Sequence, residues 1–261
     1  MKLMEIALVS ALLTAPLLAD DDICQKPISQ WNAKKARKVL TDSAWAKQMT
    51  LANIAQSSAM DENAGSGQSG MGSPRTAVDP PRGYGADKGS GMHGEKEIFY
   101  SYTVRLFSAL PIRQAYVRLS QLDNRYDRMS PKAKQEFDAR MSEALAPSAE
   151  DIVVAIDFES NDRKLLMEVN RQLRQATRDT LNQQAYLISD HLGRIYLKDY
   201  FPPSSDGTGA KLVFPRLVDG EPVVLAKDKL VKFEFLVPGT DHKVYIEWKV
   251  KDLVCEGRVV L

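Results

Sequence analysis

Cysteine and histidine are scarce in this sequence, and neither sign of charge is in surplus. Two cysteines, Cys24 and Cys255, stand among 261 residues. With no C-x-x-C spacing they exclude a redox-active motif and a cysteine-built zinc site. The three histidines are His93, His191 and His242, and no H-E-x-x-H joins any of them, so no metal is expected. Lys and Arg number 35 against 34 Asp and Glu, a net charge of +1. That leaves no basic excess for nucleic acid and no acidic excess for cations. G-x-S-x-G is absent, which removes the usual hydrolase elbow. Neither GxxxxGK[ST] nor GxGxxG occurs between a strand and a helix, so no nucleotide cofactor is implied. A triad in another order stays open, because triads are recognised by geometry.

Long apolar runs are also missing except at the N-terminus. Ile6–Leu18 is apolar apart from Ser10 and Thr14, follows Lys2, and leads into Pro16-Leu17-Leu18-Ala19 before three aspartates. This pattern reads as a signal peptide over residues 1–19, cut after Ala19. It is shorter than the roughly 20 residues of a comfortable transmembrane span. An uncleaved anchor is the alternative. Asp22-Ile23 before Cys24 does not fit a lipobox. The expectation is an exported chain, periplasmic or extracellular, with no transmembrane helix in its mature part. In an oxidising compartment Cys24 and Cys255 favour one disulfide. The alternative is a buried Cys255 and an unpaired Cys24.

What is present divides the chain. Residues 20–56 form a short ordered segment with Trp31 and Trp45, in which Ser29 caps a basic helix and Met49–Ile54 is a strand. Residues 57–95 read as a flexible linker: nine of the fifteen glycines lie between Gly65 and Gly94, with serine and proline filling much of the rest. Such a stretch buries too little to offset its ordering entropy. As a coil it spans roughly 35 Å.

Residues 96–261 read as an α+β domain. Glu97–Ser108 alternates with two apolar-leaning faces, as a central strand does. Pro111 opens one helix and Ser130-Pro131 a second. Asp151–Glu159 is a strand and Asn161–Gln184 a long helix. From Ala185 only strands follow: Ala185–Ser189 with Arg194–Lys198, then Lys211–Phe214 and Val223–Leu225. The last run is the clearest. Val231, Phe233, Phe235 and Val237 alternate with polar residues, Pro238-Gly239-Thr240-Asp241 turns, and Val244, Ile246, Trp248 and Val250 alternate again. Glu256–Leu261 is expected to add a third strand. The order β-α-α-β-α, then a run of β strands, predicts an antiparallel sheet or small sandwich with helices packed on it.

Three short stretches carry a resemblance. Val39-Leu40-Thr41-Asp42-Ser43 with Trp45-Ala46-Lys47, the run from Val104-Arg105 to Arg113, and Trp248-Lys249-Val250-Lys251-Asp252-Leu253 before Glu256-Gly257-Arg258 resemble a group of uncharacterised exported proteins of acidobacteria. The resemblance implies export and a shared C-terminal β-rich domain, and it transfers no catalytic residue.

Few residues are candidates for function. Trp31 and Trp45 can anchor their segment on the domain or face a partner. Asp157 and Glu159 share one face of a strand, with Asp162 beyond, and can bind calcium or act as an acid/base pair; a wet strand face explains them as well. Asp190 and His191 can form a hydrogen-bonded base, or simply a turn. The expected function is a non-enzymatic binding or structural module whose partner is an unknown envelope protein or surface. The alternative is an exported hydrolase using carboxylates or an unconventional serine.

Overall fold

Period-two alternation accounts for the sheets around which the chain is built. The computed structural model describes residues 21–55, 75–76, 96–146 and 148–261. The expected signal peptide and most of the expected linker, His93 included, lie outside the described residues. The N-terminal part holds α1 (Asp21–Gln25), a 3-10 turn at Ile28–Gln30, α2 (Ala33–Thr41) and β1 (Ala46–Ala55). After β2 (Arg75–Thr76) come β3 (Lys96–Leu106), α3 (Leu110–Asp123), α4 (Pro131–Leu145), β4 (Asp151–Ser160), α5 (Arg163–Gln175) and α6 (Arg178–Leu181). Strands follow: β5 (Ala185–Ser189), β6 (Gly193–Tyr196), β7 (Asp199–Phe201), β8 (Ala210–Pro215), β9 (Leu217–Val218) and β10 (Glu221–Pro222). The last are β11 (Leu230–Leu236), β12 (Lys243–Lys249), β13 (Val254–Cys255) and β14 (Arg258–Val259). The α+β class and the order of elements from residue 96 are as the pattern predicts.

Two antiparallel sheets carry the core. One has six strands in the order β2-β1-β3-β4-β8-β7, the other four in the order β12-β11-β5-β6. On the first, Tyr102 faces Phe158 across the β3–β4 ladder, Val104 faces Ile156 and Leu106 faces Val154. Ile152 and Phe214 continue this apolar face into β8. On the second, Val231, Phe233 and Phe235 are buried beside Val244, Ile246 and Trp248. All of these side chains belong to one hydrophobic cluster. Phe214 meets Phe233 edge to face at 6.3 Å, a preferred geometry for an aromatic pair. Val169 and Leu173 of α5 join the same cluster. In the β11–β12 turn Gly239 takes φ 76°, the conformation for which glycine is suited.

The N-terminal segment is part of this core. Strand β1 pairs with β3 along its whole length, from Ala46↔Arg105 to Ala55↔Lys96, so β3 is an interior strand as expected. Trp31 and Trp45 are each 1% exposed. Trp45 donates its indole N–H to Val260 O at 2.9 Å. Two buried arginines reach back to the segment: Arg105 donates Nε–H to Leu40 O at 2.6 Å, and Arg118 donates Nε–H to Trp31 O at 2.7 Å. Cys24 and Cys255 are joined as a disulfide with their Cα atoms 5.5 Å apart. The anchoring alternative for Trp31 and Trp45 is the one seen: both belong to the shared hydrophobic cluster, and β1 extends the sheet of β3. Neither tryptophan is open to a partner, because burying an indole removes far more apolar surface from water than leaving it exposed.

Four local expectations are also corrected. Helix α2 is capped by Asn32, whose Oδ1 accepts from Lys35 N at 2.8 Å, and not by Ser29. The long helix over 161–184 divides at Thr177, which caps α6 in a capping box with Thr180; a threonine at that position offers the backbone an exit from the helix. The expected strand at Val223–Leu225 is displaced by a β9–β10 hairpin across Asp219 and Gly220, both at positive φ. The C-terminus does not extend the four-stranded sheet. Glu256 and Gly257 take φ 50° and 77°, and β14 folds back onto β13, as a two-residue turn with both central φ values positive does.

Two outcomes are expected from this seam. Replacing Trp45 by alanine should lower the unfolding free energy by about 3–5 kcal/mol in urea titration. Replacing Cys24 and Cys255 by serine should lower it by about 2–5 kcal/mol, and a reductant should have the same effect on the parent chain and none on the variant.

Candidate functional site

The residues singled out for chemistry are not gathered in one place. Asp157 is paired with Arg105, which is itself buried against Leu40 O. The pair ties the sheet to the end of α2. Glu159 lies two residues along β4 and is exposed, so the two carboxylates do not enclose a common space. Asp162 caps α5, its Oδ1 accepting from Lys164 N at 2.9 Å and Leu165 N at 3.3 Å. Among the described residues no group of three or more His, Cys, Asp or Glu side chains is placed to hold a metal.

His191 does sit beside a serine and an aspartate. Its Nδ1 lies 3.1 Å from Ser189 Oγ and 3.0 Å from Asp228 Oδ2. Both neighbours meet the same ring nitrogen, whereas a catalytic relay needs the serine on Nε2 and the carboxylate on Nδ1. The Ser189 oxygen also accepts from Leu192 N at 3.1 Å, and Asp228 accepts from Leu225 N at 2.8 Å. These contacts hold a turn together. Asp190 accepts from Lys229 N at 2.8 Å, and so secures the same turn from its other side.

His242 lies between the two sheets. Tyr102 Oη stands 2.7 Å from its Nδ1, and the Tyr100 ring packs edge-on at 4.4 Å. Burial holds the imidazole below the usual histidine range, against a weaker upward pull from Asp241. Burial also raises the Tyr102 phenol, so the hydroxyl stays protonated beside the imidazole.

The most site-like region is the outward face of the four-stranded sheet. Alternation that sends Phe233 and Leu187 inward sends Glu234, Tyr186, Tyr196 and Tyr245 outward. Register places them in one row across the strands: Tyr245 opposite Glu234, Glu234 opposite Tyr186, Tyr186 opposite Tyr196. Within the row Tyr186 donates to Glu234 Oε2 at 2.5 Å, and Lys243 pairs with the same carboxylate. Partial burial works against the ionisation of Glu234, but the bonds from Lys243 and Tyr186 outweigh it and hold the carboxyl below its usual range. Lys232 pairs with Glu247 at 3.1 Å in the next row. Tyr196 and Tyr245 remain 49% and 40% exposed, which is a large open aromatic area for one sheet face.

At the β6 edge this face ends in a cleft of about 440 Å³ lined by Asn182, Gln183, Arg194 and Tyr196. The Arg194 guanidinium lies over the Tyr186 ring, 4.0 Å from its centroid, a cation–π distance. The Asn182 Oδ1 is shielded from solvent and has no hydrogen-bond partner. A smaller cavity of about 240 Å³ lies on the other side of α6, lined by Gln172, Gln175, Thr180, Gln184 and Gly239 among others. There Gln172 is committed to Glu168 at 2.8 Å and Gln175 to Arg171 at 2.9 Å. Sequence reasoning missed the larger cleft. The outward positions of Arg194 and Tyr196 were legible in the β5–β6 alternation, but Asn182 and Gln183 were hidden inside a helix read as continuous.

No family model matches the chain, and no curated protein matches it. A solved structure from Burkholderia pseudomallei K96243, described as a novel protein of unknown function, is similar at 9% identity with a TM-score of 0.37. The match covers 55% of this chain and 73% of that one, and a likeness this slight carries no argument about fold or activity.

The buried imidazole has a testable consequence. Its pKa is depressed in the fold, so the unfolded chain binds the proton more readily. The contribution is complete above the unfolded value of about 6.5 and is lost as pH falls below it. Urea midpoints at pH 7.5 and 5.5 should therefore differ more for the parent chain than for His242→Gln. An equal difference in the two proteins contradicts this placement of the imidazole.

Proposed function

We propose that this chain is an exported, non-enzymatic binding module of the cell envelope, and that it binds through the outward face of its four-stranded sheet and the cleft at the β6 edge. One observation carries the reading. Among the described residues, Asn182, Gln183, Arg194 and Tyr196 converge on one cleft, and no hydrogen bond or ion pair within the protein engages their side chains. Convergent polar groups beside an aromatic ring are what a binding site presents to its ligand. The neighbouring Glu234, Lys243 and Glu247 are satisfied by one another's partners and frame the site.

Export is supported by chemistry rather than by a relative. A disulfide closing 231 residues persists in an oxidising compartment and is rare in the cytosol. The leader-like N-terminus points the same way, as does the resemblance to exported acidobacterial proteins. Among the described residues no helix is long and apolar enough to cross a membrane. The partner-facing role once open to Trp31 and Trp45 passes to the tyrosine-bearing sheet face, since both indoles are buried.

Cosedimentation with isolated bacterial envelope material tests the reading. The oxidised chain is expected to sediment with it. The double change Arg194→Ala with Tyr196→Ala should weaken that binding about tenfold, as loss of a charged hydrogen-bonding group does, while shifting the unfolding free energy by less than about 0.5 kcal/mol, as exposed substitutions do. No sedimentation of the parent chain, or equal sedimentation of the variant, contradicts it.

A further inference from the structure

The four-stranded sheet ends on one side in a strand that no other strand covers among the described residues. Of the outer strands of the two main sheets, β2, β7 and β6 are short, and β12 runs for 7 residues. Shortness is one way a sheet edge is blunted against unwanted pairing, and β12 lacks it. Its register with β11 is unbroken from Lys243 to Lys249, without a bulge or a proline.

The ladder fixes which groups β12 leaves open. Val237 N donates to His242 O at 2.9 Å, and Val250 N to Lys229 O at 3.0 Å. Bonded pairs alternate along an antiparallel ladder, so Val244, Ile246 and Trp248 spend their backbone groups on β11. Those of Lys243, Tyr245, Glu247 and Lys249 point to the open edge. Their side chains are exposed too. Within the chain Glu234 balances Lys243 and Lys232 balances Glu247, so the edge does not repel its like.

Such an edge accepts an extended strand, and the order of charges along it says which one. From Asp241 the outward residues run Asp241, Lys243, Tyr245, Glu247, Lys249: minus, plus, neutral, minus, plus. An antiparallel copy presents the reverse: plus, minus, neutral, plus, minus. With Tyr245 opposite the partner's Tyr245, Lys243 meets the partner's Glu247 and Asp241 meets the partner's Lys249. Two-fold symmetry repeats each pair. A shift of two residues one way sets Lys243 against the partner's Lys249. The opposite shift sets Asp241 against the partner's Glu247. Like charges directly opposite are destabilising, so a single register is favoured.

We infer that β12 is a self-association edge: two copies of this chain pair antiparallel through Lys243–Lys249, about a two-fold axis at Tyr245, and join their four-stranded sheets into one. About six backbone hydrogen bonds hold the contact. Exposed ion pairs add little strength, so the charges set the register and the backbone supplies the affinity. One strand-to-strand contact is a small interface, and a dissociation constant in the micromolar range is expected. The β6 strand is the opposite edge of the sheet, so the cleft beside Arg194 stays open in both protomers. The inference stands whether or not that cleft binds anything.

Sedimentation equilibrium of the oxidised full chain, from about 1 to 200 μM, should show a monomer–dimer equilibrium. Tyr245→Cys should cross-link to a dimer under mild oxidation, because directly opposite Cα atoms lie within disulfide reach. Lys243→Cys and Glu247→Cys should not, because each lies about 13 Å along the strand from its own counterpart. Asp241→Lys and Lys249→Asp should each weaken the dimer about tenfold, and an equimolar mixture of the two should recover the parent affinity. A chain that stays monomeric at the highest concentration overturns the inference. So does cross-linking of Lys243→Cys or Glu247→Cys as efficient as that of Tyr245→Cys, or a mixture that associates no more tightly than its two components alone.

Discussion

The contact on which the rest of the structure depends is the seam between the N-terminal segment and the sheets. Arg105 is at its centre. One buried guanidinium donates to Leu40 O at the end of α2 and pairs with Asp157 on β4, so a helix terminus and two strands meet at one group. Buried charge is tolerated only where it is paired and its donors are used, and both conditions hold here. Arg118 does the same one layer away by capping Trp31 O. Trp45 is buried in the shared cluster and anchors Val260 O. The disulfide then joins the first helix to the last hairpin. Without this seam β3 loses its partner strand β1 and the helix α2 that lies beside it.

The same architecture explains why the open face lies where it does. The six-stranded sheet uses one face for the shared core and lays α2 beside β1 and β3. The four-stranded sheet turns its apolar face to the same core, and on its other face Tyr196, Tyr245 and Leu236 stand exposed. Its outward side chains are therefore either satisfied by one another, as in Glu234 with Tyr186 and Lys243, or left for something outside. Gln183, where the chain leaves α6 and enters β5, and Arg194 and Tyr196 on β6 belong to the second kind.

How much of this was legible in the sequence follows from the range of each interaction. The β11–β12 hairpin and the β5–β6 pair were readable because period-two alternation and turn residues are local signals. The interior position of β3 was readable because both of its faces lean apolar. The break after α5 was not, since Thr177 competes with a helix that the apolar stripe through Leu173 and Ala176 otherwise continues. The folding-back of β14 turned on two residues at positive φ, one of them Glu256, a residue type that rarely signals such a turn. The place of Trp31 and Trp45 depended on contacts from Arg118 and Val260 far along the chain, which no local pattern encodes. For His191 the sequence left a base beside Asp190 and a plain turn both open, and what decides between them, the sharing of one ring nitrogen by Ser189 and Asp228, is purely geometric.

Hydrogen–deuterium exchange, resolved on peptides covering β1 and β11, tests the central claim most directly. If the N-terminal segment is core, amides from Ala46 to Leu51 should be protected as strongly as those of Val231–Phe235 and should open with them in one cooperative event. Rapid exchange through β1 while β11 stays protected would contradict the account, because it would make the segment an attachment to a domain that folds without it.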